Sequence, residues 1–377
     1  MLRTAFIAIL ALHGLIHLMG FAKAYGLAEL PQLTQPISRP LGLLWLLAAL
    51  LLLATALLIA PWPRGWWILG ALALLASQVA IASSWRDAKV GTAANLLLLA
   101  GVLYGFAARG PLSLRADYER CLGRVGPAEA APGLTEADLA ALPEPVQRYV
   151  RRSGALGQPR PRVFRATWVG RIRGSATAPW MAFRAEQLNT LEPPRRYFKM
   201  DATRSGLPVD VLHAFDERGA TMRVKVLSLV SMVDARGTDL TRAETVTLFN
   251  DLCLFAPGAL VSPRIRWEPV DAQRAKASFT LGVNTIRAEL HVNDGGELVD
   301  FSSEDRLAGS PDGRAYTRMR WTTPVRDYAQ VGPVRVATRG EVVWHPESGA
   351  FAYGEFELTS LAYDAGPGAL AQPPGLR

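Results

Sequence analysis

Residues 41–60 form a run of twenty side chains in which only Thr55 is polar and none is charged. At about 1.5 Å of rise per residue, a helix of that length crosses a hydrocarbon core of about 30 Å. A soluble core helix has no need of such an uninterrupted run. The segment therefore reads as a membrane span, and the rest of the chain must be compatible with it.

Three further runs meet that condition. Residues 4–21 follow Arg3 and lead through Lys23 and a short loop into the next span, with no small-residue cleavage site before soluble sequence, so the run reads as retained. Ser38-Arg39-Pro40 opens the second span, with serine placed to cap it and proline in its first turn. Pro61-Trp62-Pro63-Arg64-Gly65 closes it in a tight hairpin. Residues 66–84 and 92–108 supply the third and fourth spans, bounded by aromatic and basic side chains of the kind that sit at head-group level. Four spans put both ends of residues 1–109 on one side. Arg3, Arg64, Arg109, Arg115 and Arg120 fall on that side, against Lys23, Arg39, Arg86 and Lys89 on the other, a split that leaves the side open.

Charge follows the same division. Residues 1–110 supply +5 of the overall +8, and the remainder is spread over sequence rich in acids. That pattern argues for anchoring against anionic membrane lipids and against nucleic acid as a partner. Cys121 and Cys253 are too few for a disulfide framework.

Polar groups inside the spans should face the bundle interior. His13 and His17 lie one turn apart, and Gln78 and Asn95 add amides in the third and fourth spans. They read either as a small polar site or as hydrogen bonds between helices, the commoner use of such residues. His13-Gly14-Leu15-Ile16-His17 lacks the glutamate of a zinc-protease helix. Arg86, Asp87 and Lys89, between the third and fourth spans, read as an interfacial anchor or as a seat for a lipid phosphate.

Residues 110–134 turn polar and then rich in Ala, Pro and Gly, the composition of a linker. Thr135 and Asp138 open a short helix, and a second runs over residues 145–152. From residue 163 the period changes to two. Phe164, Ala166, Trp168 and Ile172 alternate with Arg165, Thr167, Arg171 and Arg173. Similar runs occupy residues 180–188, 197–203, 209–216, 221–227, 230–234, 264–270, 275–281, 285–292, 298–305, 315–323, 334–338, 341–345 and 352–361, with turn signals between them. Such a meander must curl or pack against a helix to cover its apolar face. Residues 240–255 offer that helix, with Thr241 and Glu244 spaced as a capping box.

The expected architecture is therefore α+β. A four-helix transmembrane bundle (1–109) and a linker (110–134) precede a curved, half-barrel-like antiparallel β-meander with one packed helix (135–364), and a flexible tail (365–377) follows.

Chemistry is harder to find. Asp251 or Glu268 as acid or base with Cys253 as nucleophile would make a membrane-tethered hydrolase. No nucleophile elbow, phosphate-binding glycine loop or paired metal-ligand spacing accompanies them, so neither metal nor cofactor is expected. A lipid or other apolar ligand is the stronger expectation. Phe249, Leu252, Phe255 and Trp267 would line its site, and Arg165, Arg171 and Arg173 would meet an acidic head group. A module that docks a protein partner is the remaining alternative, with no partner indicated.

The chain resembles a family of uncharacterised bacterial membrane proteins that join four N-terminal spans to a C-terminal β-rich domain of unknown function. The likeness rests on Ile16-His17-Leu18-Met19-Gly20-Phe21-Ala22-Lys23, Trp85-Arg86-Asp87-Ala88-Lys89, Leu142-Pro143-Glu144-Pro145-Val146-Gln147-Arg148-Tyr149, Phe249-Asn250-Asp251-Leu252-Cys253 and Ile265-Arg266-Trp267-Glu268. The resemblance implies a multi-pass protein of a bacterial inner membrane and no established activity. A looser similarity of fold, strands curling over a helix, is to periplasmic lipoprotein carriers.

Overall fold

The computed structural model describes residues 2–126 and 131–364. The tail expected at 365–377 and part of the expected linker lie outside the described residues. The chain divides into two compact units, Met1–Asp117 and Tyr118–Arg377.

In the first unit, α1 (Leu2–Ala24), α2 (Arg39–Leu58), α3 (Trp66–Ser83) and α5 (Gly91–Arg109) are long and apolar enough to cross a membrane, and the one-turn α4 (Trp85–Ala88) separates the last two. Small residues decide how they pack. Gly42, Ala48, Ala49 and Ala56 are buried on α2, and Gly70, Ala73, Ala76 and Ala80 on α3. At Gly20 a Cβ would lie 2.2 Å from the Trp45 ring, so that crossing requires glycine. The large side chains go outward: Leu43, Leu47, Leu50 and Leu57 on α2 are exposed, as suits helices facing lipid. Ser38 occupies the N-cap of α2, but its side chain makes no capping bond; Pro40 already lacks one amide hydrogen of the first turn.

The second unit begins within α6 (Leu114–Leu122), a helix in residues read as linker. Leu114 and Tyr118, one turn apart and both buried, hold it, a short signal beside the Ala, Pro and Gly run that follows. In α7 (Glu136–Leu139) the Thr135 and Asp138 capping box forms as expected. Val146, Tyr149 and Val150 of α8 (Glu144–Arg152) are buried.

The strands follow as two runs around one helix. β1 (Val163–Ile172), β2 (Met181–Leu191), β3 (Pro194–Arg204), β4 (Leu207–Asp216), β5 (Gly219–Val226) and β6 (Val230–Arg236) make one antiparallel meander. Next comes α9 (Thr238–Phe255). β7 (Ile265–Pro269), β8 (Arg274–Leu281), β9 (Asn284–Val292) and β10 (Leu298–Ser303) form the second run, and β11 (Leu307–Gly309) pairs only with β12 (Tyr316–Arg318). β13 (Arg320–Thr322), β14 (Val325–Val331), β15 (Val334–His345) and β16 (Phe351–Tyr363) complete the set.

The large sheet has the order β6-β5-β4-β3-β2-β1-β16-β15-β13-β10-β9-β8-β7, with β14 also on β15. It is open and curved, and α9 packs on β5 and β6 from one wing and on β9, β10 and β15 from the other. A helix held by both wings covers the apolar face of a sheet too long to stay flat.

Three expectations change. Residues 315–323 are two strands in different sheets, not one. The runs at 334–338 and 341–345 are one strand that passes through Gly340. Thr241 and Glu244 do not form a capping box: α9 starts earlier, capped by Gly237 at φ +117°, and Thr241 Oγ1 donates to the Gly237 carbonyl and accepts from Ala220 N. That frees Glu244 for the interior.

Candidate functional site

The inner face of the curved sheet and one side of α9 enclose a cavity of about 310 Å³. Its apolar wall includes Trp168 from β1, Phe198 from β3, Met222 from β5, Phe255 from α9 and Phe356 from β16. The helical period selects what α9 presents to it, namely Leu240, Glu244, Thr247, Asn250, Asp251 and Leu254 beside Phe255. Phe249 sits on another side of the helix, stacked on Phe279 with ring centres 4.9 Å apart.

One stretch of wall is ionic. Arg196 Nε donates to Asp251 Oδ2 at 2.7 Å, and its Nη1 donates to Glu244 Oε2 at 3.2 Å. Asp251 Oδ2 also accepts from Gln187 Nε2 at 2.7 Å and Asn189 Nδ2 at 3.2 Å. Glu244 Oε1 lies 3.5 Å from both His213 Nδ1 and Arg306 Nη2. Burial alone would raise the Glu244 pKa, but His213, Arg196 and Arg306 outweigh it and hold the carboxyl well below its usual range. At Asp251, whose cationic partner is Arg196 alone, burial wins and the pKa rises. Such a cluster is costly to build and more costly to break, since removing one partner leaves its counter-charge buried.

Arg306 closes the cluster with its guanidinium 5.5 Å from the Trp321 ring centre and 5.7 Å from that of Trp344. Trp321 Nε1 donates to the Tyr353 hydroxyl at 3.0 Å, and Thr323 Oγ1 donates to Asn250 Oδ1 at 2.7 Å. Three buried nitrogens on the wall have no hydrogen-bond partner among the described residues: Trp168 Nε1, His213 Nδ1 and Arg306 Nε.

The residues singled out in the sequence scatter about this site. Phe255 and Asp251 line the cavity; Phe249, Leu252, Trp267 and Cys253 do not. Trp267 Nε1 donates to the Leu260 carbonyl at 3.3 Å. The structure does not assemble Asp251, Cys253 and Glu268: Cys253 is fully buried, burial pushes its thiol well above the ordinary range, and Glu268 is exposed on β7. Arg165, Arg171 and Arg173 alternate with Trp168 and Ile172 and so face away from the cavity. Arg171 pairs with Glu355 at 2.6 Å, and the guanidiniums of Arg171 and Arg173 lie over the Trp180 ring. Strand parity, which made one face apolar and the other basic, is what separates these arginines from the apolar wall.

The residues of the ionic wall were legible by that same parity. Gln187 and Asn189 share a face of β2 with Phe183 and Ala185, and Arg196 shares one of β3 with Phe198 and Met200. His213 lies in register with Val211 and Phe215 on β4. Polar residues on the core-facing side of three adjacent strands are the signal that was missed.

The polar residues of the first unit do come together. His13 Nε2 lies 3.2 Å from Ser77 Oγ and 3.1 Å from Asn95 Oδ1, and His17 Nε2 lies 3.0 Å from the same serine. His17 Nδ1 donates to the His13 carbonyl at 3.0 Å, and Asn95 Nδ2 donates to Gln78 Oε1 at 3.0 Å. Asp87 accepts from Thr34 Oγ1 at 2.7 Å and Gln35 N at 2.8 Å, tying two interhelical loops, instead of pairing with Arg86 or Lys89. Among the described residues no group of three or more His, Cys, Asp or Glu side chains is placed to hold a metal.

Known proteins add the following. No curated protein matches the sequence. A solved structure described as an outer membrane lipoprotein-sorting protein domain from Vibrio parahaemolyticus is similar at 12% identity and a TM-score of 0.33, covering 54% of this chain and 86% of that one. A DUF1329 family protein from Desulfovibrio piger is similar at 13% identity and a TM-score of 0.35, covering 59% of this chain and 92% of that one. The family of unknown function DUF6544 matches residues 132–356, which contain the whole ionic wall of the cavity and more than half of the sequence. The chain belongs to that family.

Proposed function

We propose that this protein is a membrane-anchored binding module for a lipid or other apolar molecule, held by its four helices in a bacterial inner membrane. The observation that carries the reading is the cavity between α9 and the curved sheet. It is walled by aromatic and aliphatic side chains with a few fixed polar groups, the composition expected of a site that buries an apolar ligand and orients it. A barrel or sandwich core of ordinary function would close this space with its own side chains. Cysteine chemistry gains no support from a fully buried thiol that burial pushes well above its ordinary range.

Native mass spectrometry of the full chain, released from detergent micelles, tests the reading. The expected result is a stoichiometric adduct of membrane origin that organic solvent removes. Met222→Trp and Val342→Trp each fill part of the cavity from a different strand, and each should reduce that adduct several-fold without lowering the yield of folded protein. A clean apo mass for the wild type, or equal adduct in both folded variants, overturns it.

A further inference from the structure

The donors left over on the cavity wall say what kind of head group the occupant carries. Each buried side-chain atom there without a hydrogen bond is a nitrogen: Trp168 Nε1, Arg306 Nε and His213 Nδ1, the last already turned to Glu244 at 3.5 Å. Trp168 Nε1 and Arg306 Nε can only donate, and His213 Nδ1 faces a carboxylate oxygen, Glu244 Oε1, which favours the tautomer with its proton there. No side-chain oxygen on the wall is similarly unpartnered among the described residues. A ligand that completes this wall brings acceptors and not donors.

The two arginines of the ionic cluster, Arg196 and Arg306, are not equivalent. Arg196 is held at Nε by Asp251 and at Nη1 by Glu244. Arg306 uses Nη1 on the Leu307 carbonyl at 3.1 Å, and its nearest carboxylate, Glu244, stands 3.5 Å away and is shared with Arg196 and His213. Its side chain is only 14% exposed, so the guanidinium sits largely out of water without a carboxylate of its own. In such surroundings a hydrogen bond to an ionised acceptor is among the stronger ones available. At about 310 Å³ the space is at the small end of the range of roughly 300 to 1,000 Å³ for ligand pockets, which suits one chain better than two.

Resting on the reading of this cavity as a ligand site, we propose that its occupant is a single-chain amphiphile with an oxyanion head, carboxylate or phosphate, seated on Arg306. The head accepts from the Arg306 guanidinium, and the chain lies along the aromatic wall.

The test is a competition read by native mass spectrometry. The full chain in non-ionic detergent is offered dodecanoate, dodecyl phosphate, dodecanol and dodecyltrimethylammonium at equal concentration. Wild type should retain one or both acids over dodecanol by roughly tenfold or more, the scale of one charge-assisted hydrogen bond. Dodecyltrimethylammonium should not be retained. Preference for the phosphate would point to a phospholipid-derived head, and preference for the carboxylate to a free fatty acid; either supports the proposal. Arg306→Gln should abolish the preference for the acids over dodecanol, and Arg306→Lys should keep part of it. Equal retention of dodecanol and the acids by wild type overturns the oxyanion head but leaves the cavity reading standing. Retention of none of the four overturns the cavity reading itself. Should Arg306→Gln fail to fold, the wild-type ranking still decides.

Discussion

The polar side chains buried among α1, α3 and α5 and those buried around Arg196 differ in kind. The network of His13, His17, Ser77, Gln78 and Asn95 contains no carboxylate, ammonium or guanidinium. His13 Nε2–H is shared by Ser77 and Asn95, the Ser77 hydroxyl donates to Asn95 Oδ1 at 2.9 Å and lies 3.0 Å from His17 Nε2, and His17 Nδ1 donates to the His13 carbonyl. No buried side-chain atom of His13, His17, Ser77 or Asn95 lacks a partner among the described residues. Around Arg196 two carboxylates, two guanidiniums and an imidazole are packed together, and donors remain unused. A completed neutral network fixes how helices meet. An incomplete charged one beside a cavity is a candidate for binding something.

Four measurements would break or sharpen that contrast. The largest effect is expected from Arg196→Met, which leaves Glu244 and Asp251 buried without their shared cation. Chemical denaturation of the full chain should show a loss of about 3 to 5 kcal/mol in the β domain. A loss below about 1 kcal/mol would mean that the cluster is wetter than its burial indicates.

Asp300 shows the same carboxylate chemistry without a guanidinium bonded to it. Burial raises its pKa from 3.8 to about 6, against the bond it accepts from Thr323 N. Its folded pKa lies above the unfolded one, so the native state binds the extra proton, and stability falls as pH rises from about 4 to about 6. Asp300→Asn should therefore stabilise the domain by about 2 kcal/mol at pH 8, with the gain vanishing below about pH 4. A pH-independent gain would refute the assignment.

In the helical unit, Asn95→Leu removes an acceptor from His13 and a donor to Gln78. Unfolding in mixed micelles should show a cost of about 1 kcal/mol, the usual worth of such bonds between membrane helices. A cost near that of Arg196→Met would make the two clusters alike after all. Smallest of all, Arg171→Ala breaks an exposed pair with Glu355 and should change stability by less than about 1 kcal/mol. It should also leave ligand retention untouched, because Arg171 faces away from the cavity.

Much of the architecture could be read from period alone. Twenty uncharged residues mark α2, and alternation marks β1 before any contact is known. What escaped reading depends on long-range partners. β14 carries charges at Arg326 and Asp327 and a left-handed Asp327, and looks like loop until β15 pairs with it. Glu244 looked like a cap because three-residue spacing is a local rule, whereas its partners Arg196 and Arg306 are 48 and 62 positions away. Half of the candidate site is visible in the sequence: Asp251 and Phe255 line the cavity, whereas Arg165, Arg171 and Arg173 alternate with the cavity-facing residues of β1. Parity, applied to polar residues as strictly as to apolar ones, would have selected Arg196 and His213.

The pairing of β1 with β16 also governs when this domain can exist. Thr167 Oγ1 meets Thr359 Oγ1 across 192 positions of sequence, and that ladder alone joins the wing from β6 to β1 to the wing from β15 to β7. A ribosome must therefore release β16 before the two wings can become one sheet. Until then each wing carries an open edge, and the nascent chain is exposed to mispairing and to proteolysis. β16, the last of the described strands, acts as the clasp.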